Sequence, residues 1–278
     1  MKKRIIVLLI LAIALLGTTA CQKQSADITK EKDAEVTTVP TPAPTTIPEA
    51  SPLVTEETAT ANYEITDEKL DLGDKITGVY PRISGLSDPE MQDTMNQLIR
   101  DEAMSFINYF KEGDVTIELS YDVPWKGSRL LSLRYYMYYN ADGAAHPNNN
   151  YTTLNIDLMS GKRVRLSDIV NIDDDYAKTM REYSTYTGPL ENSAELDEFM
   201  ADNLSVQDAT AFSHADYSTD YYGMYTYFTE NTIGFNLVVP HALGDYALYE
   251  LNLANITDYI KRSSPIWEDF NEALAGES

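Results

Sequence analysis

Val115-Thr116-Ile117-Glu118-Leu119-Ser120-Tyr121-Asp122-Val123 is the stretch that decides the fold class. Apolar residues at 115, 117, 119, 121 and 123 alternate with polar ones at 116, 118, 120 and 122. That two-residue period marks a strand with one buried face. Pro124-Trp125-Lys126-Gly127-Ser128 turns the chain, and Leu131, Leu133, Tyr135, Met137 and Tyr139 supply the buried face of a partner strand. By the same alternation Tyr136 and Tyr138 point outward.

On the N-terminal side, Asp88–Phe110 predicts a helix. Ser87 stands as N-cap, Pro89 lies in the first turn and Glu90 completes a capping box. Met91, Met95, Leu98, Ile99, Phe106, Ile107 and Phe110 recur at helical spacing, so one stripe faces a core. On the C-terminal side, beyond a loop at Asn140–Asn150, Leu154–Leu158 and Val164–Leu166 flank Ser160-Gly161-Lys162 as a second hairpin. Acidic amphipathic helices are expected at Asp173–Tyr183 and at Ser193–Asn203, where Asn192 and Glu195 repeat the capping-box pattern. Strands return at Met224–Phe228, Ile233–Val239 and Leu248–Leu253, followed by a short helix near Ile256–Lys261. Hairpins rather than strand–helix–strand crossovers argue for an α+β fold, with mainly antiparallel sheets packed with helices on one side. The expected division is two small subdomains, 62–145 and 146–262, and a C-terminal tail at 263–278.

Residues 1–20 begin with Lys2, Lys3 and Arg4, run apolar from Ile5 to Leu16 and end Gly17-Thr18-Thr19-Ala20. That is the order of a secretory signal peptide. Cys21, the single cysteine, follows at once, and the junction resembles a bacterial lipobox. The resemblance implies cleavage before Cys21 and a diacylglycerol-modified Cys21, with palmitate among the fatty acids. It places the protein on the outer face of the cell membrane of a Gram-positive-type bacterium. The alternative is a secreted protein with an unpaired thiol. Only four residues precede the apolar run, so no cytoplasmic domain is expected. Residues 21–61 have no hydrophobic period and are Thr/Pro-rich around Val36–Pro48, a composition that favours extended polyproline-II backbone. At ~3.1 Å per residue, roughly 40 residues reach on the order of 100 Å.

Loss of Lys2, Lys3 and Arg4 from the 21 basic residues leaves 18 against 44 acidic ones, a net charge of −26. Such a surface repels phosphate backbones and excludes nucleic acid as a partner. It also opposes docking on anionic lipid, so membrane attachment falls to the anchor at Cys21.

Catalytic signatures are lacking. There is no Gly-x-Ser-x-Gly, no His-Glu-x-x-His and no Cys/His cluster of zinc spacing. His146 has Asp142 four residues before it, the spacing of a base and its orienter, but an imidazole that clamps an irregular loop before Pro147 is the simpler role. His214 and His241 are expected to be structural. Asp173-Asp174-Asp175 lacks the spacers and turn glycine of a calcium loop and suits a helix N-terminus instead. Neither metal nor cofactor is expected. The 20 tyrosines all follow residue 62, with Tyr135-Tyr136 and Tyr138-Tyr139 on one strand and Tyr217, Tyr221, Tyr222, Tyr225 and Tyr227 in a second group. Outward tyrosines offer rigid contact area with a polar tip, suited to protein interfaces and to stacking on sugar rings. They also simply suit a pleated surface. Tyr136, Tyr138, His146, Tyr221 and Tyr222 are the candidate ligand-binding residues.

Tyr80-Pro81-Arg82-Ile83-Ser84-Gly85-Leu86-Ser87-Asp88 with Asn96-Gln97-Leu98-Ile99 resembles domain of unknown function family 4163. Gly143-Ala144-Ala145-His146-Pro147, then Asn155–Lys162 and Leu166–Ile169, resembles domain of unknown function family 3298, as does Pro240-His241-Ala242-Leu243-Gly244-Asp245-Tyr246-Ala247. Similar paired domains form the extracellular part of an anti-sigma factor that senses lysozyme, and precede the catalytic domain of a peptidoglycan deacetylase. The resemblance implies a non-catalytic, lipid-anchored binding or sensor module of the cell envelope. Its expected partner is a basic protein of lysozyme type. The alternative is a module that binds peptidoglycan through its tyrosines, and a hydrolase at the His146 loop is a third.

Overall fold

Six strands lie side by side in chain order, β1 (Glu64–Asp71), β2 (Ile76–Ser84), β3 (Val115–Lys126), β4 (Leu130–Ala141), β5 (Asn148–Asp157) and β6 (Lys162–Arg163). The computed structural model describes residues 63–110, 113–188, 193–204, 208–217 and 223–276. The signal peptide, Cys21, the linker, Asn192, Tyr221 and Tyr222 lie outside these. Every pairing in the sheet is antiparallel except β2 with β3. That one parallel pair has helix α1 (Pro89–Phe110) as its connection, the crossover a parallel neighbour requires. At Gly78, where β2 runs beside β3, a Cβ would stand 2.1 Å from Leu119 O, and φ is +139°. Only glycine fits there.

Helix α1 buries Met95, Ile99, Ala103 and Ile107, four residues apart, against Ile117, Leu119, Leu133, Tyr135 and Ile156 of the sheet. Asp88, not Ser87, caps the helix: its Oδ1 accepts from Glu90 N at 2.9 Å and Met91 N at 3.1 Å. Asn96 bonds both backbone groups of Ile83, accepting from its N at 2.8 Å and donating to its O at 2.9 Å. This joins the stretch at 80–88 to the helix at 96–99.

A second sheet, ordered β7 (Thr185–Tyr186), β10 (Tyr246–Asn252), β9 (Thr232–Val238) and β8 (Thr226–Phe228), is antiparallel throughout. Helices α2 (Leu166–Ile169), α3 (Asp174–Tyr183), α4 (Ser193–Leu204) and α5 (Asp208–Ser213) share its core, where Tyr176, Leu196 and Phe212 meet Phe235 and Tyr249. Asp173 caps α3 by accepting from Tyr176 N at 2.8 Å. The fold is therefore α+β with mainly antiparallel sheets. Among the described residues no helix is long and apolar enough to cross a membrane.

The two sheets meet through polar bonds as well as packing. Ser132 Oγ of β4 accepts from Phe228 N at 3.0 Å, while Thr153 Oγ1 and Asn155 Nδ2 of β5 donate to Thr226 O at 2.6 and 2.8 Å. The backbone of the short strand β8 is thereby satisfied by side chains of the other sheet, as burial demands. The expected boundary at 145/146 falls between β4 and β5, adjacent strands of one sheet. Residues 263–278, expected as a tail, contain a 3-10 helix at Pro265–Phe270 and helix α6 (Asn271–Ala275), and Ile266, Trp267 and Phe270 are buried. The helix expected near Ile256–Lys261 is instead a 3-10 turn at Leu253–Ile256.

Candidate functional site

The face of the first sheet turned away from α1 carries two cross-strand rows. Glu118, Tyr138 and Asn149 are successive partners across β3, β4 and β5, and Ser120, Tyr136 and Tyr151 form the next row. The second sheet covers the deeper row: Tyr151 is buried with Tyr225, Tyr227 and Leu248, and Tyr136 and Tyr246 lie at the edge of that cluster. Cover stops there, and Tyr138 is 39% exposed. The step between covered and uncovered rows leaves an open cleft of about 330 Å³, with Glu118, Ser120, Tyr136, Tyr138, Asn149 and Tyr246 among its lining.

Beneath it, Arg134 grips Asp122 with two bonds, Nε to Oδ1 at 2.8 Å and Nη2 to Oδ2 at 2.5 Å, and lies 4.6 Å over the Tyr227 ring. Burial works against the guanidinium charge, but the bonds to Asp122, together with the Tyr151 and Tyr136 phenols and the Asp122 charge, outweigh it and raise its pKa. Tyr136 donates to Asp122 Oδ2 at 3.4 Å. Burial, with Asp122 adding to it, raises the Tyr136 phenol, and burial with Asp245 raises that of Tyr246. Both hydroxyls therefore stay protonated and can donate at neutral pH.

At the end of the cleft, two stretches distant in sequence lock together. The imidazoles of His146 and His241 stack with centroids 3.6 Å apart. His241 Nδ1 lies 2.9 Å from Asp245 Oδ1, and Asp245 Oδ2 accepts from Asn149 N at 2.9 Å and Nδ2 at 3.1 Å. Asp245 holds φ at +74°, a left-handed conformation that costs an aspartate some strain and is held here by these bonds.

Tyr136 and Tyr138 line the cleft, on the face that alternation predicts, whereas His146 is outside its lining and stacks on His241. Tyr221 and Tyr222 lie outside the described residues, and Tyr225 and Tyr227 of the same group are core side chains. The carboxylate found beside an imidazole is Asp245, on His241, and not Asp142 on His146. Its local signal is the i, i+4 spacing alone. Among the described residues no three His, Cys, Asp or Glu side chains gather as a metal site.

Residues 74–149 match the family model described as deacetylase PdaC. The matched segment contains β2, α1, β3, β4 and the start of β5, the strands that floor the cleft. No curated protein matches the chain. Among solved structures, a member of the DUF3298 family from Bacteroides fragilis aligns at 15% identity and TM-score 0.50, covering 77% of this chain and 98% of that one. A DUF3298 family protein from Pseudomonas aeruginosa aligns at 12% identity and TM-score 0.43, covering 75% and 95%. The chain shares the overall fold of the Bacteroides fragilis protein, and its β2–β5 segment is similar to the PdaC family.

Proposed function

We propose that this chain is a non-catalytic binding module of the bacterial envelope, lipid-anchored at Cys21, that holds wall glycan in the Tyr138 cleft. One observation carries the ligand: an open cleft of about 330 Å³ floored by tyrosines and edged by amides and a hydroxyl. Apolar ring faces with a few placed polar groups are what a pyranose offers and needs in return. The likeness of residues 74–149 to a family whose description names a deacetylase supports the reading, because the segment in common supplies most of the cleft's lining. The test is sedimentation of the full chain, in detergent, with insoluble peptidoglycan. Co-sedimentation that is lost in Tyr138→Ala and retained at ~0.5 M salt, which shortens the Debye length below ~5 Å, supports the reading. Wild-type protein that stays in the supernatant refutes it. The anchor is tested separately, since Cys21→Ala should release the protein from membrane fractions.

A second reading, capture of a basic protein of lysozyme type, is favoured by charge. From Tyr63 onward the sequence has 15 basic against 37 acidic residues, so the excess belongs to the folded part and not to the linker. Such a surface accelerates encounter with a cationic partner. Association with a basic lysozyme should then slow steeply as salt rises.

A further inference from the structure

The cleft holds one ionisable acid, and nothing positive lines it. Thr77, Glu118, Ser120, Asn149 and Asn150 are its polar residues, and Glu118 alone among the lining carries a full charge. The guanidinium beneath, Arg134, is committed to Asp122. Asp245 adds a second carboxylate at the Asn149 end, held by Asn149 and His241. The cleft is therefore electronegative independently of the charge of the surface at large.

Glu118 is also placed with respect to the aromatic floor. It is the direct cross-strand partner of Tyr138, and Asn149 is the partner on the other side. Such partners stand ~4.5–5.5 Å apart at Cβ, about the width of one pyranose ring. A ring laid on Tyr138 would have a carboxylate at one edge and an amide at the other. The hydroxyls of a sugar satisfy the amide, Ser120 and the phenols. What satisfies a carboxylate is a cation, and an ammonium is further favoured near a tyrosine ring.

We propose that the cleft selects hexosamine rings whose amine is free, with Glu118 as the ammonium partner and Tyr138 as the stacking platform. The proposal rests on the glycan reading and sharpens it. An N-acetylated ring presents no charge to Glu118, and a ring bearing a carboxylate is repelled by it. An ion pair at a partly exposed site together with a cation–π contact corresponds to about five- to tenfold in affinity.

The experiment is calorimetric titration of the full chain, in detergent at pH 6, with a β-1,4-linked glucosamine tetramer and its N-acetylated counterpart. The expected result is about five- to tenfold tighter binding of the free-amine tetramer. The preference should collapse in Glu118→Gln and persist in Glu90→Gln, which removes an equal charge from the first turn of α1. Glu118 is exposed, so the variant is expected to unfold at the wild-type temperature, and thermal melting verifies this. Equal affinity for the two tetramers overturns the proposal while leaving the glycan reading in place, as does a preference that survives Glu118→Gln. Binding of tetralysine as tight as that of the glucosamine tetramer reduces the site to nonspecific charge and also overturns it. If neither sugar binds, the glycan reading falls, and the proposal with it.

Discussion

His146 and His241, 95 positions apart in sequence, stack face to face, ring centroids 3.6 Å apart and planes within 9°. The contact brings the turn after β9 onto the start of β5, and Asp245 completes it by bonding Asn149 through both backbone and side chain. One end of the candidate cleft is thus a clasp between the two sheets. The two stretches singled out by resemblance, 143–147 and 240–247, form its halves.

The clasp should depend more on Asp245 than on the stacked rings. His146→Ala removes an exposed aromatic contact and should cost below ~1 kcal/mol in urea unfolding. Asp245→Ala removes the acceptor of two bonds from Asn149 and one from His241, and should cost about 2 kcal/mol. Equal costs for the two variants would show that the clasp depends no more on the carboxylate than on the stacked rings.

Asp269 should be among the most sensitive acidic positions. Its carboxylate reaches back to the β3–β4 turn and accepts from Ser128 N at 3.0 Å, Ser128 Oγ at 2.6 Å, and Arg129 N and Leu130 N at 2.8 Å each. Three backbone donors left without it should cost about 2–4 kcal/mol in Asp269→Ala. Gly127→Ala should be destabilising for the complementary reason, since its Cβ would stand 2.0 Å from Asp269 Oδ2. Thermal melting of both variants checks this. Loss of the segment at 265–275 from the core would also appear as increased Trp267 solvent exposure by fluorescence.

Asp216 gives the stability a pH dependence. Burial pushes its carboxyl up from 3.8 to about 6, although Thr226 N, Thr226 Oγ1 and Leu166 N all donate to it and work the other way. The folded state therefore holds this proton more tightly than the unfolded chain does. Its contribution is fully present below about pH 4 and is lost as pH rises through about 6. Relative to Asp216→Asn, which does not titrate, the wild type should lose on the order of 3 kcal/mol between those limits. Chemical denaturation of both proteins at pH 3.5, 5 and 7 measures it, and a difference that stays constant refutes it.

What the sequence revealed follows the range of the interactions involved. The α1 stripe and the alternation in β3 and β4 are local, and they place Met95, Ile99, Leu119, Tyr135 and Tyr138 on the correct faces. β1 went unseen because Glu64–Asp71 is an edge strand with few apolar residues, recognisable only beside β2. Trp267 and Phe270 fall in a stretch that reads as a tail because a 3-10 helix six residues long leaves no periodic signal. In the site, Tyr136 and Tyr138 were legible from their period, whereas Glu118 was visible only as the polar half of an alternating strand. The pairing of His146 with His241 depends on how two sheets pack, and no local pattern encodes that.

Glu102 and Arg163 should behave as an unequal pair. Glu102 lies on the buried face of α1 with its side chain 3% exposed, and it is bonded to Arg163 Nη2, whose side chain is 16% exposed at the sheet edge. Arg163 has a second bond, from Nη1 to Thr153 O at 3.4 Å, and access to water. Glu102 has neither advantage: its Oε1 is buried with no hydrogen-bonding partner in the structure. Removing the arginine strands a carboxylate inside the core, and removing the glutamate leaves an arginine that can turn outward. Arg163→Met should therefore cost about 3–5 kcal/mol, and Glu102→Met distinctly less. The double variant, with two thioether side chains closing the same space, should be more stable than Arg163→Met alone, so the coupling between the positions is favourable and on the order of 2 kcal/mol. Urea unfolding of the four proteins closes the cycle. Additive costs would mean that the two side chains do not interact, and a greater loss for Glu102→Met would mean that the arginine, not the carboxylate, is the stranded charge.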